Sequence, residues 1–260
     1  MHLFHEVDLA DRARILAVLQ TVRPTHLLHL AWYVSHGRFW AAPENTDWIG
    51  LTLDLARMAA DTGVRRFVGV GSCAEYDWSD GATTPRLESD RIAPSTLYGA
   101  SKAETFDTVR QMLTRRSVAF AWARLFHLYG PGESPGRLVP SVVGALLAGR
   151  TADTGPGDCE RDFMAVVDAG EALAALTNSG VAGAVNVASG TSVTVARVAT
   201  LLGELTERAD LVRIGALEDR PGEPKVMRAD TTRLVREVGF SPRADLVGGL
   251  AACVDSLRGP

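Results

Sequence analysis

Residues 65–72 read RRFVGVGS, a short apolar run that follows two arginines and ends in a serine. An apolar run of this length, bounded by polar residues, is typical of a buried parallel strand. Ser72 would then lie at the carboxyl end of the strand, where open α/β sheets place their binding sites. The stretch therefore predicts both a buried sheet and the position of a functional hydroxyl.

The segments around this strand alternate between helix and strand. The predicted elements are a helix from Asp11 to about Val22, a strand Thr25–Ala31, a helix from Asn45 or Thr46 to about Thr62, a helix that opens at Pro94 and Ser95 and runs to about Arg115, and a strand Val118–Leu128. This order is typical of a parallel sheet with helices on both faces. The predicted fold class is α/β, a doubly wound parallel sheet.

The elements become shorter after Tyr129. The pattern there predicts a helix at 138–148, a strand at 163–167, a helix from Asp168, a strand at 184–187, a helix from Thr194, a strand at 211–214 and two final helices. We therefore predict two domains, residues 1–130 with the main sheet and residues 131–260 with a mixture of late sheet elements and a smaller lobe.

Tyr98 and Lys102 stand four residues apart in LYGASK, residues 97–102, a spacing that puts two side chains on one helix face. A lysine ammonium beside a phenol favours the phenolate and lowers its pKa. Such a tyrosine can move a proton to or from an alcohol or ketone oxygen, while a serine such as Ser72 holds that oxygen. The trio predicts hydride transfer between a carbinol carbon and a nicotinamide ring.

Composition excludes several classes of protein. The chain of 260 residues is 46% hydrophobic and has a net charge of −4 with no basic stripe, which argues against nucleic acid as a partner. No apolar run reaches the roughly 18 residues of a membrane span, and the N-terminus is unlike a signal peptide. The widely spaced Cys73, Cys159 and Cys253 predict neither a disulfide framework nor a metal site, so a reducing cytoplasm is the expected location.

Six stretches together resemble one family. They are HLAW at 29–32, GSCAEY at 71–76, YGASK at 98–102, RLFHLYGPG at 124–132, RDF at 161–163 and RPGE at 220–223. In this order, and over nearly the whole chain, they resemble the extended short-chain dehydrogenase/reductase family, which comprises nucleotide-sugar epimerases, dehydratases and ketoreductases. The resemblance implies a Rossmann-like NAD(P)-binding domain with catalytic Ser72, Tyr98 and Lys102, followed by a smaller C-terminal substrate-binding lobe.

The resemblance also implies which residues bind the ligands. The cofactor, NAD or NADP, would contact Asp8, Leu9, Leu30, Ala31 and Trp32 together with Ser72, Tyr98 and Lys102. The nucleotide-diphosphate sugar would contact His127, Arg137, Arg161 and Arg220. Guanidinium groups suit a diphosphate, although surface ion pairing is the alternative role for Arg161 and Arg220. Asp8, with no basic residue directly after it, leans towards NAD without deciding between the two cofactors.

One expected part of the family pattern is missing. The family begins with a strand, a glycine-rich turn and a helix whose N-terminus binds the cofactor pyrophosphate, whereas the segment Val7-Asp8-Leu9 resembles the end of the third strand. We therefore expect an N-terminally truncated Rossmann domain, in which strand Thr25–Ala31 has a bare edge. The glycines of residues 130–136 are a poor substitute for the glycine-rich turn, because Pro131 and Pro135 have no backbone N–H to donate to a phosphate.

The reaction type follows in part from the residues after Ser72. By resemblance, dehydratases have an acid pair there, but this chain has Cys73 and Ala74. Alternation along an extended segment would point Glu75 to the other side, so dehydration is disfavoured. A C4 epimerase and a C4 ketoreductase on a nucleotide-diphosphate sugar both remain open. The alternative is a non-catalytic binding or regulatory remnant of the fold, or an inactive fragment of a longer enzyme.

Two further expectations concern packing. By resemblance, the chain forms a homodimer through the helices Thr46–Thr62 and Tyr98–Arg115, and an apolar face that includes Phe106 and Val109 is consistent with such an interface. Trp40 and Trp48 are interpreted as packing residues, and Asn45 as a helix cap first and a cofactor contact second.

Overall fold

The computed structural model describes residues 3–218 and 222–258. The chain forms two compact units. The first comprises residues 1–76, 91–124 and 174–185, and the second comprises residues 77–90, 125–173 and 186–260. None of the described helices combines the length and the apolar character that crossing a membrane requires.

The helices and strands alternate along the chain. The helices are α1 Arg12–Val22, α2 Glu44–Asp61, α3 Leu97–Thr114, α4 Leu138–Leu147, α5 Val166–Asn178, α6 Val195–Leu205, α7 Thr232–Arg236 and α8 Leu246–Arg258. The strands are β1 His26–His29, β2 Arg66–Ser72, β3 Ala119–Leu125, β4 His127–Tyr129, β5 Ala152–Asp153, β6 Glu160–Ala165, β7 Gly183–Val187, β8 Ser192–Thr194, β9 Val212–Arg213 and β10 Val226–Met227. Two 3₁₀ turns, Cys73–Glu75 and Ala209–Leu211, complete the set.

The sheet of the first unit has the strand order β1-β2-β3-β7. β1 and β2 are parallel, with His26 opposite Arg66 and His29 opposite Gly69. Every residue of β2 before Ser72 is buried, as the apolar run predicts. The core of this unit includes Leu19 of α1, Leu55 of α2 and Val109 of α3, so all three helices pack through apolar side chains.

Two glycines of β2 make room for a tryptophan of β3. A Cβ atom on Gly69 would lie 2.3 Å from the ring of Trp122, and one on Gly71 would lie 2.1 Å from its Nε1. Trp122 is 1% exposed. The alternation of glycine with apolar residues in β2 is therefore what allows this large side chain to lie flat against the strand.

The predicted strand Val118–Leu128 is wrong as a single element. The chain forms β3 and then β4, and β4 pairs with β6 in a different sheet. Between them, the N–H of Phe126 donates to the carbonyl of Val187 at 3.2 Å. The break is absent from the sequence pattern because apolar residues continue through it. The two units are also discontinuous in sequence, unlike the predicted division after residue 130, and the roles assigned to the two predicted domains stay predictions.

The second unit has its own sheets and core. β6 lies between β10 and β4, pairs in parallel with both, and pairs antiparallel with β8. β5 and β9 form a separate parallel pair. The apolar core includes Val143 of α4, Leu202 of α6 and Leu250 of α8.

The predicted dimer helices correspond to α2 and α3, which begin and end within two residues of the expected bounds. Part of the apolar face on α3 is not free surface, however. Val109 is fully buried in the core of the first unit, and Phe106 packs against that core. The apolar face is therefore explained by packing within one chain, and dimerisation stays a prediction.

Candidate functional site

Lys102 lies in the second turn of α3 and is 3% exposed. Its Nζ donates a hydrogen bond to the carbonyl oxygen of Val70 at 2.7 Å. Burial lowers the pKa of Lys102 to about 7, and the negative charge of Glu75 opposes this shift. Both protonation states of the lysine are therefore accessible near neutral pH, which suits a group that exchanges or stabilises protons.

Tyr98 lies in the first turn of α3, on the same side as Lys102. Its N–H donates to the carbonyl of Trp40 at 3.1 Å, and its ring meets those of Phe39 and Trp40 edge-on, with centroids 4.9 Å and 5.7 Å away. The Nζ of Lys102 is 5.9 Å from the centre of the Tyr98 ring. The predicted pairing of the two side chains is therefore present in the fold.

Ser72 ends β2 beside this helix. Its Oγ accepts a hydrogen bond from the N–H of Ala74 at 3.1 Å. A Cβ on Gly99 would lie only 2.2 Å from the carbonyl oxygen of Ala74, so a glycine is needed for the first turn of α3 to approach the turn after Ser72. Lys102 binds Val70 before the serine and Gly99 contacts Ala74 after it. These contacts bring the predicted serine, tyrosine and lysine together.

The Trp32 side chain covers the lysine. The Nζ of Lys102 lies 3.8 Å from the centre of the indole ring, a cation–π contact. The indole N–H donates to Oδ1 of Asn45 at 2.8 Å, and Nδ2 of Asn45 donates to the carbonyls of Phe39 and Ala42 at 2.6 Å and 2.9 Å. Trp32 is thereby locked in place.

The helix-cap interpretation of Asn45 is wrong. α2 begins at Glu44, so Asn45 lies inside the helix, and its buried amide fastens the preceding loop. Of the two tryptophans interpreted as packing residues, Trp48 does pack against Trp32, with ring centres 5.9 Å apart. Trp40 packs in its loop against Phe39, with ring centres 4.3 Å apart, while 47% of it stays exposed.

The other predicted cofactor residues are placed differently from one another. The strand expected at Thr25–Ala31 ends at His29, and Leu30 and Ala31 follow it as exposed residues at the carboxyl end of the strand. Asp8 is exposed, and its carboxylate accepts the N–H of Ala10 at 2.9 Å. Leu9 packs against the core of the first unit. Of the predicted cofactor residues, the 30–32 segment adjoins Lys102 through Trp32.

The donors present fit one end of a dinucleotide. An ammonium group has three N–H donors, and Val70 accepts only one from Lys102, which leaves donors for ribose hydroxyls. Leu30 adds an exposed apolar surface for a nicotinamide or adenine ring. Within residues 3–218 and 222–258, however, no strand leads through a G-x-G-x-x-G turn into a helix. The described residues therefore fit the nicotinamide end.

His127, predicted to contact the sugar, is a half-buried residue of β4. Its ring lies 5.9 Å from that of Phe163. Burial, with a contribution from the charges of Arg161 and Arg137, lowers the pKa of His127 to about 3. In the part of the chain that the structure describes, its Nδ1 has no hydrogen-bond partner. The imidazole is therefore neutral at physiological pH and can still form a hydrogen bond.

Arg161, predicted to bind the diphosphate, and Arg137, predicted to make a polar contact with the substrate, are already paired with carboxylates. Arg161, 4% exposed, donates to Glu223 at 2.7 Å and to the carbonyls of Glu160 and Pro224. Arg137 precedes α4 and donates to Glu133 at 2.7 Å. Arg220 lies outside the described residues. Arg161 is thus a buried guanidinium paired with a half-exposed carboxylate, so the ion pairing considered as its alternative role is present.

Glu75 is a site residue that the sequence analysis missed. Residues 73–75 form a 3₁₀ turn and not an extended segment, so the alternation argument was wrong. The Glu75 carboxylate reaches back to the N–H of Ser72 at 2.8 Å. The pattern Ser-x-x-Glu at residues 72–75 is that of a capping box, and this signal would have predicted the contact.

The fold and the trio define a class of protein, the α/β oxidoreductases that use a tyrosine and a lysine at the carboxyl edge of a sheet. A family model described as the NAD dependent epimerase/dehydratase family matches residues 2–188. The chain belongs to this family. The match confirms the family resemblance and the Rossmann-like α/β fold, and it identifies NAD as the cofactor of the family.

Several relatives align over most of the chain. A dTDP-glucose 4,6-dehydratase of Streptomyces griseus is 31% identical over 206 residues, which are 78% of this chain and 62% of that protein. A UDP-glucose 4-epimerase of Rhizobium meliloti is 26% identical over 264 residues, 92% of this chain and 79% of that protein. The structure of a UDP-N-acetylglucosamine 4-epimerase from Methanobrevibacter ruminantium M1 matches 98% of this chain and 82% of its own, with TM-score 0.89 and 25% identity.

Proposed function

We propose that the chain is an NAD-dependent oxidoreductase that acts at C4 of a hexose in a nucleotide-diphosphate sugar, as a 4-epimerase or a C4 ketoreductase. The relatives support the substrate class, because they are named for UDP- or dTDP-linked hexoses and their names share position 4 of the sugar. The family supports the cofactor.

The observation on which the proposal rests is the buried Lys102 on one helix face with Tyr98, next to Ser72. Tyr98 would move the proton of the C4 hydroxyl, and Ser72 would donate a hydrogen bond to the same oxygen. Lys102 would favour the phenolate by its charge and would bind the nicotinamide ribose. Bound NAD would supply the hydride acceptor. General acid–base catalysis of this kind contributes about 10²–10⁴-fold to a rate.

Dehydration is disfavoured by the residues that follow Ser72. Cys73 and Ala74 offer no carboxyl group where the family's dehydratases have their acid pair. The nearest carboxylate, Glu75, accepts hydrogen bonds from Trp122 and Arg124 as well as from Ser72. It has no free oxygen with which to remove a proton from C5 of a sugar. This argument supports epimerisation or ketoreduction over dehydration, although dehydratases are among the relatives.

The second unit would bind the nucleotide part of the substrate. Arg161 and Arg220 are candidates for the diphosphate, Arg137 for a polar contact with the substrate, and His127 for a sugar hydroxyl. For Arg161, a phosphate oxygen would replace the carboxylate of Glu223, since both are anions that a guanidinium fork accepts. We extend the proposal to a reducing, cytoplasmic setting and to a homodimer through α2 and α3.

The test uses the purified chain of 260 residues with NADH, UDP-glucose and dTDP-glucose as probes. Fluorescence titration measures NADH binding, and calorimetry measures binding of each sugar nucleotide. Mass spectrometry and chromatography then follow NAD-dependent inversion or oxidation at C4. The expected result is saturable binding and turnover of at least one sugar. A folded chain that binds neither NADH nor sugar nucleotide would overturn the proposal.

A non-catalytic binding protein is the second candidate function. The observation in its favour is the contact between Trp32 and Lys102, because the indole covers the ammonium group that a cofactor would have to reach. Binding of a sugar nucleotide without any turnover, in wild type and in a Trp32→Ala variant alike, would support this candidate over the enzyme.

A further inference from the structure

Glu75 is a fully buried carboxylate that the proposed chemistry does not use. Its Oε1 accepts hydrogen bonds from the N–H of Ser72 at 2.8 Å and from the indole N–H of Trp122 at 2.9 Å. Its Oε2 accepts from Nε of Arg124 at 2.8 Å. Burying a carboxylate is costly unless it is paired and hydrogen-bonded. The carboxylate therefore depends on partners from β2 and β3 together.

The surroundings are built to admit this group. A Cβ on Gly71 would lie 2.3 Å from Oε1 of Glu75, so only glycine leaves room beside Ser72. Arg124, 2% exposed, also donates to the hydroxyl of Tyr76 at 3.1 Å. The guanidinium and the carboxylate thus form an ion pair within a buried hydrogen-bond network, which makes Glu75 a rigid support for whatever it contacts.

The same network extends towards the lysine. Trp122 donates its indole N–H to Glu75, and its ring lies 5.8 Å from the Nζ of Lys102. The negative charge of Glu75 raises the pKa of Lys102 against the larger effect of burial. One side chain is therefore connected to two members of the catalytic trio, to Ser72 by a hydrogen bond and to Lys102 by its charge.

We propose that Glu75 is a positioning residue, which holds the Ser72 backbone and keeps a negative charge close to Lys102. This inference rests on the proposed function, since it assigns both targets a catalytic role. Glu75 touches no reacting atom and acts only through Ser72 and Lys102.

Other titratable groups lie around Lys102. On β1, His29 is buried and donates to or accepts from the hydroxyl of Thr52; burial and the charge of Lys102 lower the pKa of His29 to about 4. It is therefore neutral near pH 7. Tyr98 lies on the same helix as the lysine, and Arg124 on β3 acts through its pairing with Glu75. Glu75 is thus the anion that opposes the loss of the lysine's proton.

The chain is well suited to a direct test, because Lys102 and Lys225 are its two lysines. Lysine labelled with ¹³C at Cε gives two NMR signals whose shifts report the two titrations. A Lys225→Arg variant assigns them. Lys225, which pairs with Asp158 in the second unit, serves as the internal control, since its midpoint should not respond to changes at Glu75.

Three variants separate charge from hydrogen bonding. Glu75→Gln removes the charge. Glu75→Gln combined with Arg124→Met also avoids a buried unpaired guanidinium, which guards against a misfolded single variant. Glu75→Met combined with Arg124→Met removes in addition the acceptor for Ser72. Hydrogen exchange of the Ser72 amide in each variant reports whether that acceptor is still bound.

We expect the Lys102 midpoint to fall by on the order of one pH unit in Glu75→Gln, where the carboxylate charge alone is removed, and by less in the two double variants, which also lack the Arg124 cation. We expect the Ser72 amide to exchange about tenfold faster in the methionine variant but not in the glutamine variants. An unchanged Lys102 midpoint, or a Ser72 amide that is equally protected in the methionine variant, would overturn the inference. Neither readout needs a substrate, so the result is independent of whether the proposed reaction is found.

Discussion

The catalytic trio of the first unit and the predicted substrate arginines of the second unit differ in what already engages their polar groups. Lys102 donates to one backbone carbonyl and otherwise faces an indole ring. Arg161 and Arg137 instead each hold a carboxylate of the same chain. The trio is therefore arranged before any ligand binds, whereas a diphosphate that bound these arginines would first have to displace an internal anion.

This difference has an energetic consequence. Groups that are already in place lose little conformational entropy when substrate binds. When a phosphate replaces a carboxylate on an arginine, the gain in binding free energy is only the difference between two similar ion pairs. Variants of the trio should therefore change rates strongly, and variants of the arginine pairs should change affinity weakly.

The largest effect is expected for Tyr98→Phe. The phenol is the group proposed to move the substrate proton, so kcat should fall by about 10²–10⁴-fold with binding of the sugar nucleotide nearly unchanged. Steady-state kinetics and calorimetry measure the two quantities. Tyr33→Phe, at a half-buried tyrosine that the proposed chemistry does not use, is the matched control and should keep wild-type kinetics. An unchanged kcat in Tyr98→Phe would refute the proposed acid–base role.

The next effect concerns stability. The pKa of Lys102 is about 7 in the folded chain against an ordinary value of 10.5, so the unfolded chain binds more protons between these values. The wild-type free energy of unfolding should therefore rise with pH across this window, by on the order of 5 kcal/mol. Below pH 7 the lysine is protonated in both the folded and the unfolded chain, and this increase in the free energy of unfolding is absent.

Lys102→Met should lack this rise, because methionine binds no proton in either state. Urea unfolding at several pH values compares the two chains, and their difference removes the contribution of other titrating groups. Lys225→Met, at the exposed lysine of the second unit, should run parallel to wild type. A Lys102→Met curve that is also parallel to wild type would contradict the assigned pKa.

A smaller effect is expected for Glu223→Gln. The side chain of Glu223 is 36% exposed. Solvent therefore screens its ion pair with Arg161, and the pair contributes little free energy. Removing the carboxylate should free the guanidinium and raise the affinity for UDP about 2- to 5-fold. Glu237→Gln, which breaks the separate pair with Arg233, is the control. A weaker affinity in Glu223→Gln would show that Arg161 does not bind the diphosphate.

The smallest effect is expected for His127→Asn. Because burial lowers the pKa of His127 to about 3, the imidazole is neutral above pH 5 and provides one N–H donor, as an asparagine amide also can. The affinity for UDP-glucose should change by less than about threefold and show no inflection between roughly pH 5 and 8. An inflection near the ordinary histidine pKa in wild type, absent in the variant, would contradict this assignment.

Local sequence patterns predicted the trio of the first unit well. The four-residue spacing of Tyr98 and Lys102 and the apolar run that ends at Ser72 depend on neighbours in sequence, and both give the expected helix and strand. Glu75 could also have been predicted from its capping-box spacing. What failed there was the assumption of an extended segment after the strand.

Contacts between distant residues were beyond the sequence patterns. Nothing local indicates that Trp32 lies over Lys102, or that Arg161 pairs with Glu223 sixty-two positions away. The break at Phe126 is equally hidden, because the apolar pattern is the same on both sides while the strands join different sheets. These features are set by tertiary packing, which a pattern of period two or 3.6 does not encode.

The central claim is hydride transfer at C4 by the trio, and isotope transfer tests it most directly. UDP-glucose and dTDP-glucose with deuterium at C4 are incubated with the chain and NAD, and mass spectrometry follows the label. We predict that deuterium moves to the nicotinamide or returns to an inverted C4, and that Tyr98→Phe slows both by about 10²–10⁴-fold. A folded chain that binds NAD and the sugar nucleotide but leaves all deuterium on an unaltered C4 would contradict the account.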